Sequence, residues 1–231
     1  MAPPAERVYN QAAAIAIASN KLRCRRVLEQ AEIPVPEESM TAFPVVGRTV
    51  KHRAGRGFWL CNSEDDIGRA VARGARYFSV FYPKQNEYRV HIAHGSVLYV
   101  QEKVPRESEE YKRDWPIWNH AINDFQFRII RWSYWPLDII LLATKAVSTV
   151  GLDYGAIDIM ANPKEDGFPP AVVCEINTGM SIDSDYSAIM YQTYFRWLLE
   201  EHPEESLKPV SNKPQGYAFK KIIGVENSEG N

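Results

Sequence analysis

Two short apolar segments, GAIDIM at residues 155–160 and AVVCEIN at residues 171–177, each carry an acid inside a run that otherwise reads as buried strand. The stretch between them, NPKEDGFPP, is rich in turn residues, so the two should pair as a hairpin. A carboxylate taken out of water needs a partner. Glu175 and Asn177 are two apart and share one face of their strand, and the hairpin can bring Asp158 across from them. Two carboxylates and an amide oxygen are a donor set that Mg²⁺ accepts, with water or phosphate oxygens completing the shell. Hydrogen bonding of both acids to backbone or to a nearby arginine accounts for the same pattern, and both readings stand at this point.

The remaining chain alternates short helices and strands cut by Pro and Gly, with no internal repeat, which predicts an α+β fold. An alanine-rich stretch at 10–18 precedes a helix at 21–31, capped by Ser19 or Asn20 and stopped by IPVPE, with Leu22, Val27, Leu28 and Ala31 facing inward. FPVVGRTV and FWLC read as strands around the loop KHRAGRG, followed by a helix over 64–74 that Ser63 starts and Gly74 ends. YFSVFY is a further strand, and EYRVHIA and SVLYVQEKV alternate on either side of a His94-Gly95 turn. A helix over 136–150 and an amphipathic helix over 185–201, with Met190, Tyr194, Trp197 and Leu198 on one side, complete the ordered part. Residues 202–231 read as a polar tail.

Lys and Arg (27) nearly balance Asp and Glu (29), so the strong positive field of a general nucleic-acid binder is missing. No apolar run reaches the ~18 residues of a membrane helix and no leader pattern opens the chain, which predicts a cytoplasmic protein. Cys24, Cys61 and Cys174 are too scattered for a zinc site or a disulfide framework. His91 and His94 are expected on different faces of a strand and turn.

The loop after FPVVGR offers Gly backbone and positive charge suited to phosphates, although a solvated hairpin tip would have the same composition. Neither GxxxxGK[ST] nor GxGxxG occurs.

The order of these features resembles that of ATP-grasp ligases over residues 19–195. SNKLRCRRVLEQAEIPVPE is similar to the family's entry helix, where Lys21 takes the place of a lysine that approaches the nucleotide. FPVVGR resembles the strand whose terminal lysine holds the α- and β-phosphates. Arg48 stands there, with Lys51 as a second candidate, and HRAGRG with Gly55 and Gly57 matches the glycine-rich lid. YFSVFYPKQNEYRVHI resembles the hinge over which adenine lies, implying Val80, Phe81 and Tyr82 as hinge and Glu87 as ribose ligand. An acid often begins that hinge, and Val80 replaces it here. Arg89 and Lys103 resemble the basic residues facing the γ-phosphate and the oxyanion. GLDYGAIDIM and CEINTGMSID correspond to the metal strands, with Asp158, Glu175 and Asn177 as ligands. D-alanine ligases carry an arginine two residues before that aspartate, where this chain has Ala156. The phrases PVVGR, GRGFWLC, EYRVH and GLDYGAID are most similar to short ATP-grasp proteins of bacteriophages.

The resemblance implies two α+β lobes sandwiching ATP: a helical remnant at 1–18, a small lobe at 19–82, a large lobe at 83–201 and the tail. The family's usual N-terminal domain is largely absent, so a homodimer mate or partner protein is expected to complete the acceptor site. It further implies an ATP- and Mg²⁺-dependent ligase joining a small-molecule or peptide carboxylate to an amine through an acyl phosphate. The alternatives are a catalytically silent nucleotide-binding scaffold, or a ligase or phosphotransferase acting on a nucleotide or nucleic-acid acceptor. The aromatic and basic residues of 111–135 (YKRDWPIWNHAINDFQFRIIRWSYW) either fill the core or hold a nucleotide or nucleic-acid acceptor.

Overall fold

A computed structural model describes residues 9–50, 57–106, 116, 118, 125–163, 167–179, 182 and 184–196. The glycine-rich loop at 51–56, most of 107–124 and the chain beyond 196, including Trp197, Leu198 and the expected tail, lie outside the described residues.

Two antiparallel sheets form the framework. The smaller has the order β2-β1-β3, from β1 (Val45–Arg48), β2 (Phe58–Cys61) and β3 (Tyr77–Val80). Alternation splits β1 and β3 cleanly: Val45 and Phe78 pack with Ile67 and Ala70 of α3 (Glu64–Ala72), which sends Arg48, Tyr77 and Ser79 to the opposite face. Ser63 caps α3 by accepting from the Asp66 N–H, as its position ahead of three acids predicts.

The larger sheet runs β6-β5-β4-β7-β8 and comprises β4 (Asn86–Ala93), β5 (Ser96–Pro105), β6 (Phe125–Ile130), β7 (Tyr154–Ala161) and β8 (Ala171–Asn177). His94 (φ 46°) and Gly95 (φ 73°) make the two-residue turn between β4 and β5, both in the left-handed region that such hairpins require. One face of this sheet is apolar. Val90, Ile92, Val100, Ile157, Ile159, Val173 and Ile176 pack there against α1 (Ala12–Ala18), α2 (Lys21–Gln30) and α4 (Leu137–Val150). Helix α2, expected with the small lobe, thus shares the core of the large sheet. Its buried residues are Cys24, Arg25 and Leu28; Leu22, Val27 and Ala31, expected inward, are half-buried. Strand β6 was not foreseen, because FQFRII sits inside the aromatic segment with no turn signal to set it off. Helix α5 (Asp185–Arg196) seats Met190, Tyr191 and Tyr194 against Ala93, Leu98 and Tyr99.

The connection after α2 ties the two sheets together. Pro34 O accepts from the Val173 N–H on the open edge of β8 at 2.8 Å, and Glu37 O accepts from the Val80 N–H of β3 at 2.8 Å. A cleft results between the inward face of the small sheet, the N-terminal half of α2 and β8. Among the described residues no helix is long and apolar enough to cross a membrane.

Candidate active site

The face of the large sheet opposite α1, α2 and α4 carries polar side chains between the α5 contacts and the cluster of Tyr82, Met160 and Val172. Strand β4 contributes Glu87, Arg89 and His91 at alternate positions. The register pairs Arg89 with Gln101 on one side and with Asp158 on the other, which settles a point that alternation leaves open: Lys103, two beyond Gln101, shares the face of Arg89. Asp158 in turn lies opposite Glu175, and Ala156 opposite Asn177.

Strand β8 reaches this arrangement through a bulge. Asp158 pairs with Glu175 but Ile159 pairs with Val173, so Cys174 has no cross-strand partner and alternation skips a beat there. Val172 and Cys174 cluster with Tyr82 and Met160, while Val173 and Ile176 turn to the opposite core. Cys174 and Glu175 therefore both reach the site side of the sheet although they are sequence neighbours.

Every acid on this face is met by a base. Arg89 donates to Asp158 from Nε at 2.7 Å and from Nη2 at 2.9 Å. Lys21, the first residue of α2, donates to Glu175 at 2.5 Å. Glu87 accepts from Lys84 at 2.7 Å and from Lys103. Burial alone would raise the Glu87 carboxyl, but the two ammonium groups hold it down at about 2. Burial likewise works against the charge on Arg89 and Lys103, and the carboxylates beside them more than compensate, raising both. Asn177 Nδ2 lies 3.3 Å from Asp158 Oδ2. The arginine alternative for the buried acid thus holds for Asp158, and the shared face of Asp158, Glu175 and Asn177 holds with it.

Phe127 of β6, opposite Lys103, is a residue that sequence reasoning missed. The Arg89 guanidinium carbon stands 4.2 Å from its ring centroid and Lys103 Nζ 5.4 Å, a shared aromatic floor under both cations. Lys84 was also missed; it bridges Glu87 and the ring of Trp118, at 4.8 Å from the centroid. Trp118 and Phe125 are buried and stacked at 5.1 Å, so these two rings of the aromatic segment fill the core.

Across the cleft, Arg48 ends β1 with Phe58 5.3 Å from its guanidinium and Cys174 Sγ within 4.0 Å of Nη2. Lys51 and Gly55 lie outside the described residues. Gly57 (φ 71°) opens β2, where a Cβ would come within 2.7 Å of the Thr49 hydroxyl. At the hinge, the N–H groups of Val80 and Phe81 are bonded to Glu37 O and Pro44 O. The Tyr82 ring is buried with Met160, Val172 and Phe168, its hydroxyl donating to Pro169 O at 2.8 Å.

A second network lies behind Arg89. His91 is fully buried, with Nδ1 2.8 Å from the Tyr191 hydroxyl and Nε2 3.0 Å from Gln101 Oε1. Gln101 can only accept through that oxygen, so Nε2 carries the proton and Nδ1 accepts from Tyr191.

Among the described residues no three His, Cys, Asp or Glu side chains converge on one point. The candidate ligand set is two carboxylates and an amide, all offering oxygen, and it fits a hard divalent cation. Its two acids face each other across adjacent strands, with Asn177 in contact with the first.

No family model and no curated protein matches the sequence. Solved structures do match. The Bacillus anthracis D-alanine-D-alanine ligase complexed with ATP superposes with a TM-score of 0.59 at 17% identity, over 85% of this chain and 68% of that one. The ATP-grasp ligase PsnB, complexed with a phosphomimetic variant of its minimal precursor, Mg and ADP, gives 0.57 at 18% identity over 81% of this chain. Biotin carboxylase from Campylobacter jejuni gives 0.56 at 15% over 78%. The chain spans 61% of the PsnB chain, 59% of a second structure of the D-alanine ligase and 45% of biotin carboxylase. Two sheets bridged by the segment after α2, a cleft between them and this set of neighbours identify the fold of the chain as ATP-grasp.

Proposed function

We propose that this protein is an ATP- and Mg²⁺-dependent ligase that joins a carboxylate to an amine. The observation that carries the reading is the row Lys21, Glu175, Asp158 and Arg89, with the Asn177 amide beside it, whose Lys21 and Glu175 end lines the cleft together with Arg48.

Asp158, Glu175 and Asn177 would hold Mg²⁺, which when bound draws charge from the phosphate oxygens of ATP. Lys21 and Arg48, on opposite walls, orient the phosphate chain. The apolar surface of Tyr82, Met160 and Cys174 beside the hinge suits a planar base, and Glu87 reaches the ribose hydroxyls once Lys84 or Lys103 yields. With the chain so held, a substrate carboxylate oxygen bonds to the γ-phosphorus as the bond to the β-phosphate oxygen breaks, giving an acyl phosphate and ADP. The amine nitrogen then bonds to the acyl carbon, inorganic phosphate leaves, and the nitrogen loses a proton to yield the amide. Arg89 and Lys103, held over Phe127, stabilise the oxyanion of that second step. Ala156 in place of an arginine leaves Arg89 as the closer candidate for this role.

The test is incubation with ATP, Mg²⁺ and a pooled set of carboxylic acids and amines, with condensation products scored by mass spectrometry and the nucleotide product identified. ADP and phosphate formed only when both an acid and an amine are present support the reading; AMP as the nucleotide product overturns it.

A further inference from the structure

Beyond the paired acids and bases, the same face of the large sheet turns apolar towards its β6 edge. Gln101 lies opposite Arg89 on one side and opposite Ile129 on the other, so Ile129 stands on the face of Arg89, two residues along β6 from Phe127. Tyr99, two residues before Gln101 and on that face too, is met edge-on by the ring of Tyr186 near the start of α5, at 5.7 Å between centroids. Ile129 is 36% exposed and Tyr186 41%, beside a row of charged groups that are themselves largely buried.

Asp158 does not saturate Arg89. The carboxylate takes the edge formed by Nε and Nη2. Nη1 makes no hydrogen bond to a described residue and is not sealed from solvent, which leaves the edge formed by Nη1 and the second N–H of Nη2 open to another anion. An open guanidinium edge against the Phe127 ring, next to two exposed apolar side chains, is complementary to a molecule that carries both a carboxylate and an apolar group.

We propose that the acid this protein joins bears a branched aliphatic or aromatic group, its carboxylate meeting the open edge of Arg89 and its apolar group covering Ile129 and Tyr186. The inference rests on the ligase reading for the reaction, but the binding surface is tested without it. A short or strongly polar acid leaves both side chains wet and forgoes their contribution.

The experiment measures binding of 3-phenylpropionate, 4-methylpentanoate, acetate, succinate and the uncharged 3-phenylpropanol to the full chain by calorimetry, with ADP and Mg²⁺ present. The natural protein, Ile129→Asn and Tyr186→Ala are compared, with melting temperatures and sedimentation of each. The two apolar acids should bind more tightly than acetate, succinate and the alcohol, and either variant should weaken them about 5-fold, the order expected when half of one apolar side chain loses its cover. Tyr186→Ala carries the test if Ile129→Asn does not fold. Apolar acids that bind no better than acetate or succinate, or that bind both folded variants as they bind the natural protein, overturn the proposal. So does a natural protein that binds no acid, sediments as a dimer and becomes monomeric on Ile129→Asn, because the surface then belongs to a second copy. Binding of 3-phenylpropionate that depends on Ile129 or Tyr186, in a protein that forms no condensation product, leaves the surface standing and removes the ligase reading; condensation of succinate in preference to 3-phenylpropionate does the reverse.

Discussion

Arg89 holds Asp158 by both ends of one guanidinium edge, at 2.7 Å and 2.9 Å, so the candidate metal ligand and the candidate oxyanion stabiliser are each other's partner. A metal ion arriving alone must displace this pair and the Lys21 contact to Glu175, whereas a metal arriving with a phosphate chain offers both cations a new anion. Mn²⁺ is therefore expected to bind the free protein weakly and to bind tightly with ADP present. Arg89→Gln should raise the affinity for Mn²⁺ alone while lowering turnover. Electron paramagnetic resonance titration of free Mn²⁺ reads this directly, and tight binding by the nucleotide-free natural protein would sink the exchange.

Glu87 gives a pH signature. Its carboxyl is held at about 2 in the fold against an ordinary value of 4.5, so its ion pairs stabilise the protein fully above pH 4.5 and that stability is lost as pH falls from there towards 2. Across that window the loss amounts to about 3 kcal/mol, because a tenfold change in proton affinity corresponds to roughly 1.4 kcal/mol. Glu87→Gln should be less stable at pH 7 and flatter between pH 5 and 3 in chemical denaturation. A variant with the natural protein's acid slope would place that slope elsewhere.

The three thiols are free, and burial separates them: Cys24 and Cys61 are buried and Cys174 is half-exposed on the cleft. Burial also raises Cys24 to about 11, which starves it of thiolate at neutral pH. Labelling with a small aromatic disulfide at pH 8 should modify Cys174 first and should slow when ADP and Mg²⁺ are added. Peptide mapping that found Cys24 labelled first would contradict this packing.

Tyr191→Phe removes the hydroxyl that lies 2.8 Å from the buried His91 Nδ1. The expected cost is about 1–3 kcal/mol in denaturant unfolding. Gln101, bonded to the other ring nitrogen, sits opposite Arg89, so the variant should also lower turnover more than it changes nucleotide affinity.

The strands and helices that carry strong local signals were legible in the residues: the His94-Gly95 hairpin, the Ser63 cap, the Gly151 terminus of α4 and the antiparallel pairing of β7 with β8. The common face of Asp158, Glu175 and Asn177 was legible too, because spacing fixes two of the three and the hairpin brings the third across. What could not be read depends on register and long-range packing. Nothing local says that Phe127 lies under Arg89 and Lys103, since β6 has no turn signal and its partner is set by the sheet. The pairing of Lys103 with Glu87 rather than with Asp158 is a matter of which residue faces which across β4 and β5. Nothing in its own helix marks Arg25 as buried, and its place between Glu29 and Glu38 depends on how the chain after the helix returns.

The unpaired position at Cys174 makes the length of β8 part of the geometry of the cleft. Deleting one residue there would restore an unbroken ladder, and an even ladder turns only every second residue to the cleft, so it cannot hold two sequence neighbours on that side. The carboxylate of Glu175 and the wall against which Cys174 packs would then compete for places that the irregular strand grants to both. Homologous strands lacking the irregularity should therefore show a compensating insertion or a different residue beside Tyr82 and Met160, and a designer transplanting this arrangement would have to carry the irregular strand along with its side chains.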